Sequence, residues 1–157
     1  MGFNHLDENG AVRMVDVSDK PSTKRTAEAE AVLWVGSRLM EALRGGALAK
    51  GDALALARIA GIAATKRCAE LIPLAHPLPL THARIELDTS GDDSLKIRCR
   101  VETVGPTGVE MEAMTGASVA ALTVYDMCKG VRRDISLREV VLVHKSGGRS
   151  GTYQRPD

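Results

Sequence analysis

The sequence predicts an α+β fold, built on an open antiparallel sheet, from three observations. Residues 83–88 and 95–101 alternate apolar and charged side chains, which is typical of half-buried strands. Residues 109–114 alternate in the same way after a turn that contains glycine and proline. An apolar helical pattern and a returning strand at residues 139–145 then follow. Antiparallel strands with an intervening helix favour one sheet with its helices on one face.

The first half of the chain is predicted to be mainly helical, because alanine-rich stretches follow good capping residues. Ser22 and Thr23 precede the first stretch, which ends at a pair of glycines. Asp52 can cap the second stretch. The predicted helices span residues 24–44, 53–64 and 66–71. Prolines exclude a helix from residues 72–80, so we expect this segment to be extended.

The turn that precedes the third strand predicts a hairpin and fixes its register. Matching apolar residues across the hairpin puts Cys99 opposite Ala113 and Arg100 opposite Glu112. Glu110 and Glu112 then share one face of the strand. These two carboxylates are either its solvent-exposed side or part of a binding site, and the residues alone leave both interpretations open.

The helix after this strand places charges where its periodicity predicts apolar residues. Val119 and Leu122 begin a stripe at helical spacing, and Asp126 and Lys129 continue it. This Asp–Lys pair is either catalytic or a structural ion pair about one helical turn apart. The nearby carboxylates favour the catalytic interpretation.

Composition narrows the class of function. A net charge of +1 and an aromatic content of 3% argue against a nucleic-acid or membrane-surface partner. The 3 cysteines have no metal-ligand spacing and are typical of reduced thiols in a cytoplasmic protein. Neither a signal peptide nor a membrane-spanning run is recognisable. We therefore expect a cytoplasmic protein with a single domain, 1–157, whose residues 1–10 and 152–157 are flexible.

Several isolated cations and one constrained histidine add to the candidate site. Lys50 precedes a predicted helix, Lys66 lies on a helix, and Lys145 begins a glycine-rich tail without the order of a phosphate-binding P-loop. His76 lies between prolines and cannot be a helix-surface residue. Each has an ordinary structural explanation, such as a solvated lysine or a structural histidine. Together they suit acid–base chemistry on an anionic, phosphorylated small molecule.

Distinctive runs of residues over nearly the whole chain carry a family resemblance. They are 14–17 (MVDV), 50–52 (KGD), 57–62 (ARIAGI), 71–78 (LIPLAHPL), 107–113 (TGVEMEA), 122–129 (LTVYDMCK) and 145–148 (KSGG). In combination they closely resemble the MoaC family, the cyclic pyranopterin monophosphate synthases of molybdenum-cofactor biosynthesis.

The resemblance implies a ferredoxin-like α+β fold and a homohexamer built as a trimer of dimers. The implied enzyme is a lyase that converts a cyclised dihydro-GTP to cyclic pyranopterin monophosphate and releases pyrophosphate. It works without a redox cofactor and without a dedicated metal site, although Mg²⁺ can accompany the triphosphate. No nucleic acid or membrane partner is implied.

The resemblance also assigns roles to residues. Asp126 is the implied catalytic acid or base, with Lys129 as its partner and Lys50 as a second catalytic lysine. Ala75 stands where many relatives carry cysteine, which a backbone contact tolerates. The residues implied to bind the substrate and its triphosphate are Leu74, Ala75, His76, Glu110, Met111, Glu112, Lys66, Arg25 and Lys145.

Two other classes of function remain open at this point, a non-catalytic module that binds a nucleotide or pterin and an oligomeric scaffold. An open sheet with helices on one face leaves its other face to be covered, and a second subunit is the simplest cover. We therefore expect a shared site. In this prediction Lys50 and His76 of one subunit meet Asp126 and Lys129 of another.

Overall fold

The computed structural model describes residues 5–46 and 51–156. Its elements confirm the predicted α+β class. In chain order they are β1 (Thr23–Trp34), α1 (Ser37–Arg44), α2 (Ala53–Thr65), α3 (Cys68–Leu71), β2 (Leu80–Asp88), β3 (Ser94–Gly105), α4 (Glu110–Cys128), β4 (Ser136–Ser146) and β5 (Tyr153–Gln154).

One antiparallel sheet with the strand order β2-β3-β1-β4-β5 organises the chain. The first four strands and the helices between them form a β-α-β-β-α-β pattern, which is the ferredoxin-like arrangement. The short β5 adds to the free edge of β4. Helices α2 and α4 pack on one face of this sheet, whereas the other face carries arginine–glutamate ion pairs.

The prediction of a helix over residues 24–44 is wrong for its first part, which forms β1. Alternate residues of β1 face the helices, and Glu28 and Glu30 lie on the other face. The period of two therefore outweighs the helical propensity of alanine. Only the end of the predicted helix is helical, as α1. The residues of β1 that are buried against the helices are Ala27, Ala29, Ala31 and Leu33.

The predicted strand at residues 109–114 is also wrong, because this segment forms the first turns of α4. Val109 and Ala113 are both buried and lie one helical turn apart. Acidic residues in a first helical turn interact favourably with the helix dipole. The alternation of Glu110 and Glu112 was therefore a short coincidence within a helical sequence.

The predicted hairpin register fails for the same reason. β3 pairs with β1 on one side and β2 on the other, so Cys99 has no partner at Ala113. Arg100 pairs with Glu28 at 2.5 Å on the open face of the sheet, instead of with Glu112. The arginines of β3 thus pair with glutamates of β1 on this face of the sheet.

The strand directions give the molecule two ends, which we call the Gly105 end and the Trp34 end. β1 begins opposite Gly105 and ends opposite the first residues of β3 and β4. β2 begins opposite Thr103, so α2 has to run from the Trp34 end towards the Gly105 end. α4 follows β3 and runs the opposite way. The N-terminus of α4 and the C-terminus of α2 therefore share the Gly105 end.

The small residues of α2 allow it to pack closely on α4 within the chain. A Cβ atom on Gly61 would lie 2.9 Å from the Gly116 carbonyl oxygen, and one on Gly116 would lie 2.7 Å from Cys99 Sγ. Asp52 caps α2 as predicted, since its carboxylate accepts the Ala55 N–H at 2.9 Å. Among the helices of the described ranges, none is long and apolar enough to cross a membrane.

Candidate active site

Most of the predicted substrate residues line one cavity of about 490 Å³ at the Gly105 end, which we call the histidine cavity. Apolar side chains of the N-terminal segment, Val15 and Val17, form another part of its wall. The structure therefore brings together residues from three distant parts of the chain, and their roles in binding stay predictions. The predicted residues in this cavity are Leu74, Ala75, His76, Glu110, Met111 and Glu112.

A backbone contact determines the proton arrangement of His76. Its Nε2 lies 2.7 Å from the Val15 carbonyl oxygen. A carbonyl oxygen only accepts hydrogen bonds, so Nε2 carries a proton, and whenever the ring is neutral its lone pair lies on Nδ1. The N-terminal segment thus holds His76 in the tautomer in which Nδ1 can accept a proton.

Glu112 is the buried acid of the histidine cavity, with 4% of its surface exposed. Burial raises the pKa of its carboxyl, and hydrogen bonds from its own backbone N–H and the Cys68 thiol oppose this only partly. A buried carboxyl beside a histidine, in a cavity, is well suited to hold or transfer a proton. Glu112 is therefore the group of this cavity best placed for acid–base chemistry.

The raised pKa of Glu112 predicts how the stability of the protein depends on pH. A carboxyl with a raised pKa in the folded state lowers stability as the pH rises above its ordinary value of 4.5. We expect Glu112→Gln to raise the melting temperature at pH 8, with a gain that disappears towards pH 4. Glu102→Gln is the control of opposite sign, because Arg100 and Lys24 lower the pKa of Glu102. If the melting temperatures of wild type and Glu112→Gln depended on pH in the same way, this would contradict a raised pKa of Glu112.

A second cavity of about 530 Å³, which we call the cationic cavity, adjoins the histidine cavity and shares Lys20 and Glu110 with it. Arg25 and Lys145 line it as well. Lys145 Nζ lies 3.0 Å from the Glu110 carboxylate, at the border of the two cavities. Four basic side chains, counting Arg149, therefore face one space.

Two glycines shape the cationic cavity. Gly147 and Gly148 both have positive φ angles, 98° and 73°. A Cβ atom on Gly148 would overlap the Arg25 guanidinium, which donates to the Pro106 carbonyl at 3.0 Å. Glycine is therefore required there, both for the backbone conformation and for the space that Arg25 fills.

Lys66 lies in a different place from the other predicted triphosphate residues. It lines a third cavity of about 290 Å³, together with His76 and Glu112. The histidine cavity shares residues with both of the others, whereas the cationic cavity and this third one share none. One triphosphate therefore cannot contact Arg25, Lys145 and Lys66 through these cavities without crossing the histidine cavity.

Asp126 and Lys129 lie at the Trp34 end and form an ion pair of 2.5 Å. Their side chains are 63% and 51% exposed, and Leu122 on the same stripe is 55% exposed. The predicted stripe therefore faces outward, because α4 buries its other side. At about 1.5 Å of rise per residue, Asp126 is roughly 24 Å from Glu110 along the helix. Within one chain the pair cannot act on a small molecule held in the histidine cavity.

The pKa of Lys129 is raised by its hydrogen bond to Asp126. A lysine that exchanges protons near neutral pH needs a lowered pKa, and Lys129 in the described chain shows the opposite direction. The reason is that both side chains are exposed to water and paired. A surface that removed this water would disfavour the charged lysine and lower its pKa.

Comparison with known proteins identifies the family. The family model described as "MoaC family" matches residues 14–148. The chain belongs to the MoaC family. A relative from Thermomicrobium roseum is 54% identical over 99% of this chain and 94% of its own length, and it is named cyclic pyranopterin monophosphate synthase. Relatives from Pelobacter propionicus and Mycobacterium tuberculosis are each 51% identical over at least 99% of this chain, and over 99% and 91% of their own lengths. They carry the same name, with the suffix 1 for the mycobacterial protein.

Two candidate residues of this MoaC-family chain were missed by sequence reasoning. Lys20 lines both large cavities, and no described ion pair includes it. Cys68 is buried beside Thr115 and Glu112, and burial raises the pKa of its thiol. Neither residue belongs to a recognisable pattern, because each reaches the site only through the folding of the chain around it.

One predicted catalytic residue, Lys50, lies outside the described residues. The residues that follow it, Gly51 and Asp52, lead into α2 at the Trp34 end. Within residues 5–46 and 51–156, no cluster of three His, Cys, Asp or Glu side chains is arranged to hold a metal ion.

Proposed function

We propose that this protein is a cyclic pyranopterin monophosphate synthase, a lyase that acts on a cyclised dihydro-GTP in the cytoplasm and releases pyrophosphate. Membership of the MoaC family and the names of its relatives support this reaction. The observation that carries the proposal is the direct junction between the cationic cavity and the histidine cavity. A nucleotide triphosphate has the same two parts, a polyanion and a base.

The two cavities divide the chemistry between them. Lys20, Arg25 and Lys145 bind the triphosphate and stabilise the negative charge of the departing pyrophosphate. The base and its rearranging ring lie in the histidine cavity, where His76 Nδ1 and Glu112 exchange protons with ring atoms. When the substrate arrives, its phosphates compete with Glu110 for Lys145.

A second subunit supplies Asp126 and Lys129 to this site. The distance along α4 excludes their action within one chain, and outward-facing apolar side chains near them support an interface. Leu56 and Ile59 on α2 are 45% and 66% exposed, and Leu122 on α4 is similarly exposed. Such a surface on helices favours contact with another protein chain. Three such dimers then associate through a second contact into the homohexamer, a trimer of dimers.

The proposed reaction uses no redox cofactor. Mg²⁺ is expected only as a companion of the triphosphate, where it would bind phosphate oxygens. Adding a chelator should therefore reduce the rate only as far as it changes substrate binding. A large fall in kcat at saturating substrate would contradict this part of the proposal.

Incubating the pure protein with the cyclised dihydro-GTP tests the function directly. We expect pyrophosphate and the cyclic pterin monophosphate to form together in equal amounts. The alternative of a binding module predicts tight substrate binding without either product. The scaffold alternative predicts no binding and no effect of neutralising Glu110, Asp126 or Lys129.

Replacing the proposed catalytic lysines with arginine tests whether they transfer protons. Arginine keeps the positive charge but does not lose its proton at accessible pH. We expect Lys50→Arg and Lys129→Arg to lower kcat by about 10²–10⁴-fold, the usual contribution of a general acid or base. Lys24→Arg is the control, because Lys24 pairs with Glu102 on the open sheet face. Product formation by both catalytic variants at the wild-type rate would show that the lysines only hold phosphate.

A further inference from the structure

A short turn connects the proposed catalytic Lys129 to the rest of the sheet. Lys129 caps α4, and its N–H donates to the Tyr125 carbonyl at 2.8 Å. The N–H groups of Val131 and Arg132 both donate to the Cys128 carbonyl, at 2.9 and 3.1 Å. The backbone of the turn is thereby closed. Arg132 is the residue of this turn whose side chain reaches β1.

That side chain stacks on the only tryptophan of the chain. The Arg132 guanidinium lies 4.3 Å from the centre of the Trp34 ring, and Arg138 lies at 5.2 Å from it. The indole N–H donates to Asp93 at 2.8 Å, which fixes the orientation of the ring. Trp34 thus contacts Asp93, Arg132 and Arg138. Cation–π contacts of this kind hold a guanidinium over an aromatic face.

Two further contacts fix Arg132 in this position. Its guanidinium donates to both oxygens of Asp134, at 2.5 and 2.6 Å, and to the Val35 carbonyl at 3.4 Å. Gly36 has a φ of 76°, and a Cβ atom there would overlap Arg132 Nη1. The end of β1 is therefore shaped to receive this one side chain.

We propose that Trp34 is a positioning residue for the Asp126–Lys129 pair, acting through Arg132 and the turn that Arg132 anchors. This inference rests on the proposed function. Catalytic groups have to be held to within about 0.5 Å of their working geometry. Lys129 projects from an exposed helix end, so its position depends on the turn that follows it. Trp34 lines neither the histidine cavity nor the cationic cavity, and among the described residues its contact with Arg132 links it to this turn.

Substitutions of Trp34 separate positioning from binding. Trp34→Leu removes the aromatic face, and we expect kcat to fall by roughly tenfold with KM unchanged, because the substrate cavities lie at the Gly105 end. Trp34→Phe keeps a face for Arg132 and should retain most of the activity. Arg138→Gln is the matched control, since it removes the other cation and leaves Arg132 stacked.

Hydrogen exchange supplies a measurement that does not depend on activity. In Trp34→Leu, the amides of Val131 and Arg132 should exchange at least about tenfold faster, while those of Ala120 and Ala121 in the middle of α4 keep their rates. Trp34→Phe should resemble wild type in both regions. This pattern, together with the lower kcat, supports the positioning role.

Three results would overturn the inference. One is unchanged exchange at Val131 and Arg132 in Trp34→Leu, and another is faster exchange there with wild-type kcat. The third is faster exchange throughout α4, which would mean that Trp34 only stabilises the fold. If wild-type protein forms no product, the proposed function fails and the positioning role fails with it. The exchange pattern then still shows whether Trp34 holds the turn.

Discussion

Replacing Asp126 with asparagine should lower turnover by about 10²–10⁴-fold, the usual contribution of one general acid or base. The fold should persist, because exposed ion pairs such as Asp126–Lys129 contribute little to stability. We therefore expect an unchanged melting temperature and an unchanged oligomer. Steady-state kinetics and thermal melting, measured on the same preparation, check both parts.

A second exposed ion pair provides the control for this substitution. Glu139 pairs with Arg155 at 2.8 Å, and both side chains are about as exposed as those of the catalytic candidates. Glu139→Gln removes a similar charge from a surface pair that lines none of the three cavities described above, and it should keep the wild-type rate. If Asp126→Asn also kept a near-normal rate with normal melting, Asp126 would be a structural partner of Lys129 and nothing more.

The sequence predicted the parts of the fold where one signal was strong. Asp52 caps α2, alternation identifies β2 and β3, and the run at residues 139–145 lies within β4. These predictions are correct because each pattern extends over enough residues to distinguish the strand period of two from the helical period of about 3.6. The class of fold follows from them even with two elements misassigned.

The misassigned elements have physical causes. In β1 the alternating residues are alanines, whose helical preference conceals the period of two, and only pairing with β3 and β4 settles the conformation. Residues 109–114 are too few to separate a strand from the first turns of a helix. This error changed the predicted site. On a strand the two glutamates would share one face, whereas on α4 Glu110 lines the histidine and cationic cavities and Glu112 lines the histidine cavity and the third cavity.

The site was predicted as a set of residues rather than as a geometry. Residues of the run around His76 line the histidine cavity, and Lys145 with its glycines lines the cationic cavity, whereas their roles stay predictions. The sequence could not show that α4 separates Glu110 from Asp126 by its whole length. Lys20 reaches the site through a turn closed by its N–H to the Val17 carbonyl at 3.0 Å, which no pattern encodes.

Mixed oligomers should regain activity when each subunit lacks a different end of the site. His76→Ala removes the Gly105-end half, and Asp126→Asn removes the Trp34-end half. Each variant alone should be inactive. In a dimer with two shared sites, random mixing leaves one intact site in each heterodimer. We therefore expect about a quarter of the wild-type rate from equal amounts of the two subunits.

The matched control combines two defects at the same end. Lys145 and His76 both line cavities at the Gly105 end. A mixture of Lys145→Ala and His76→Ala subunits should therefore regain little activity. In a shared-site dimer, every site then contains one defective half. Mixing Lys50→Ala with Asp126→Asn then tests the assignment of Lys50. Recovery would place Lys50 with His76, as the sequence analysis predicts.

The most direct test of a site shared between two chains is the rate of the purified His76→Ala and Asp126→Asn hetero-oligomer. Two different affinity tags on the co-expressed subunits ensure that every oligomer contains both. We expect this hetero-oligomer to release pyrophosphate at a substantial fraction of the wild-type rate, although each parent variant is inactive. An inactive hetero-oligomer, with wild-type activity in the equally tagged wild-type pair, would contradict a site built from opposite ends of two chains.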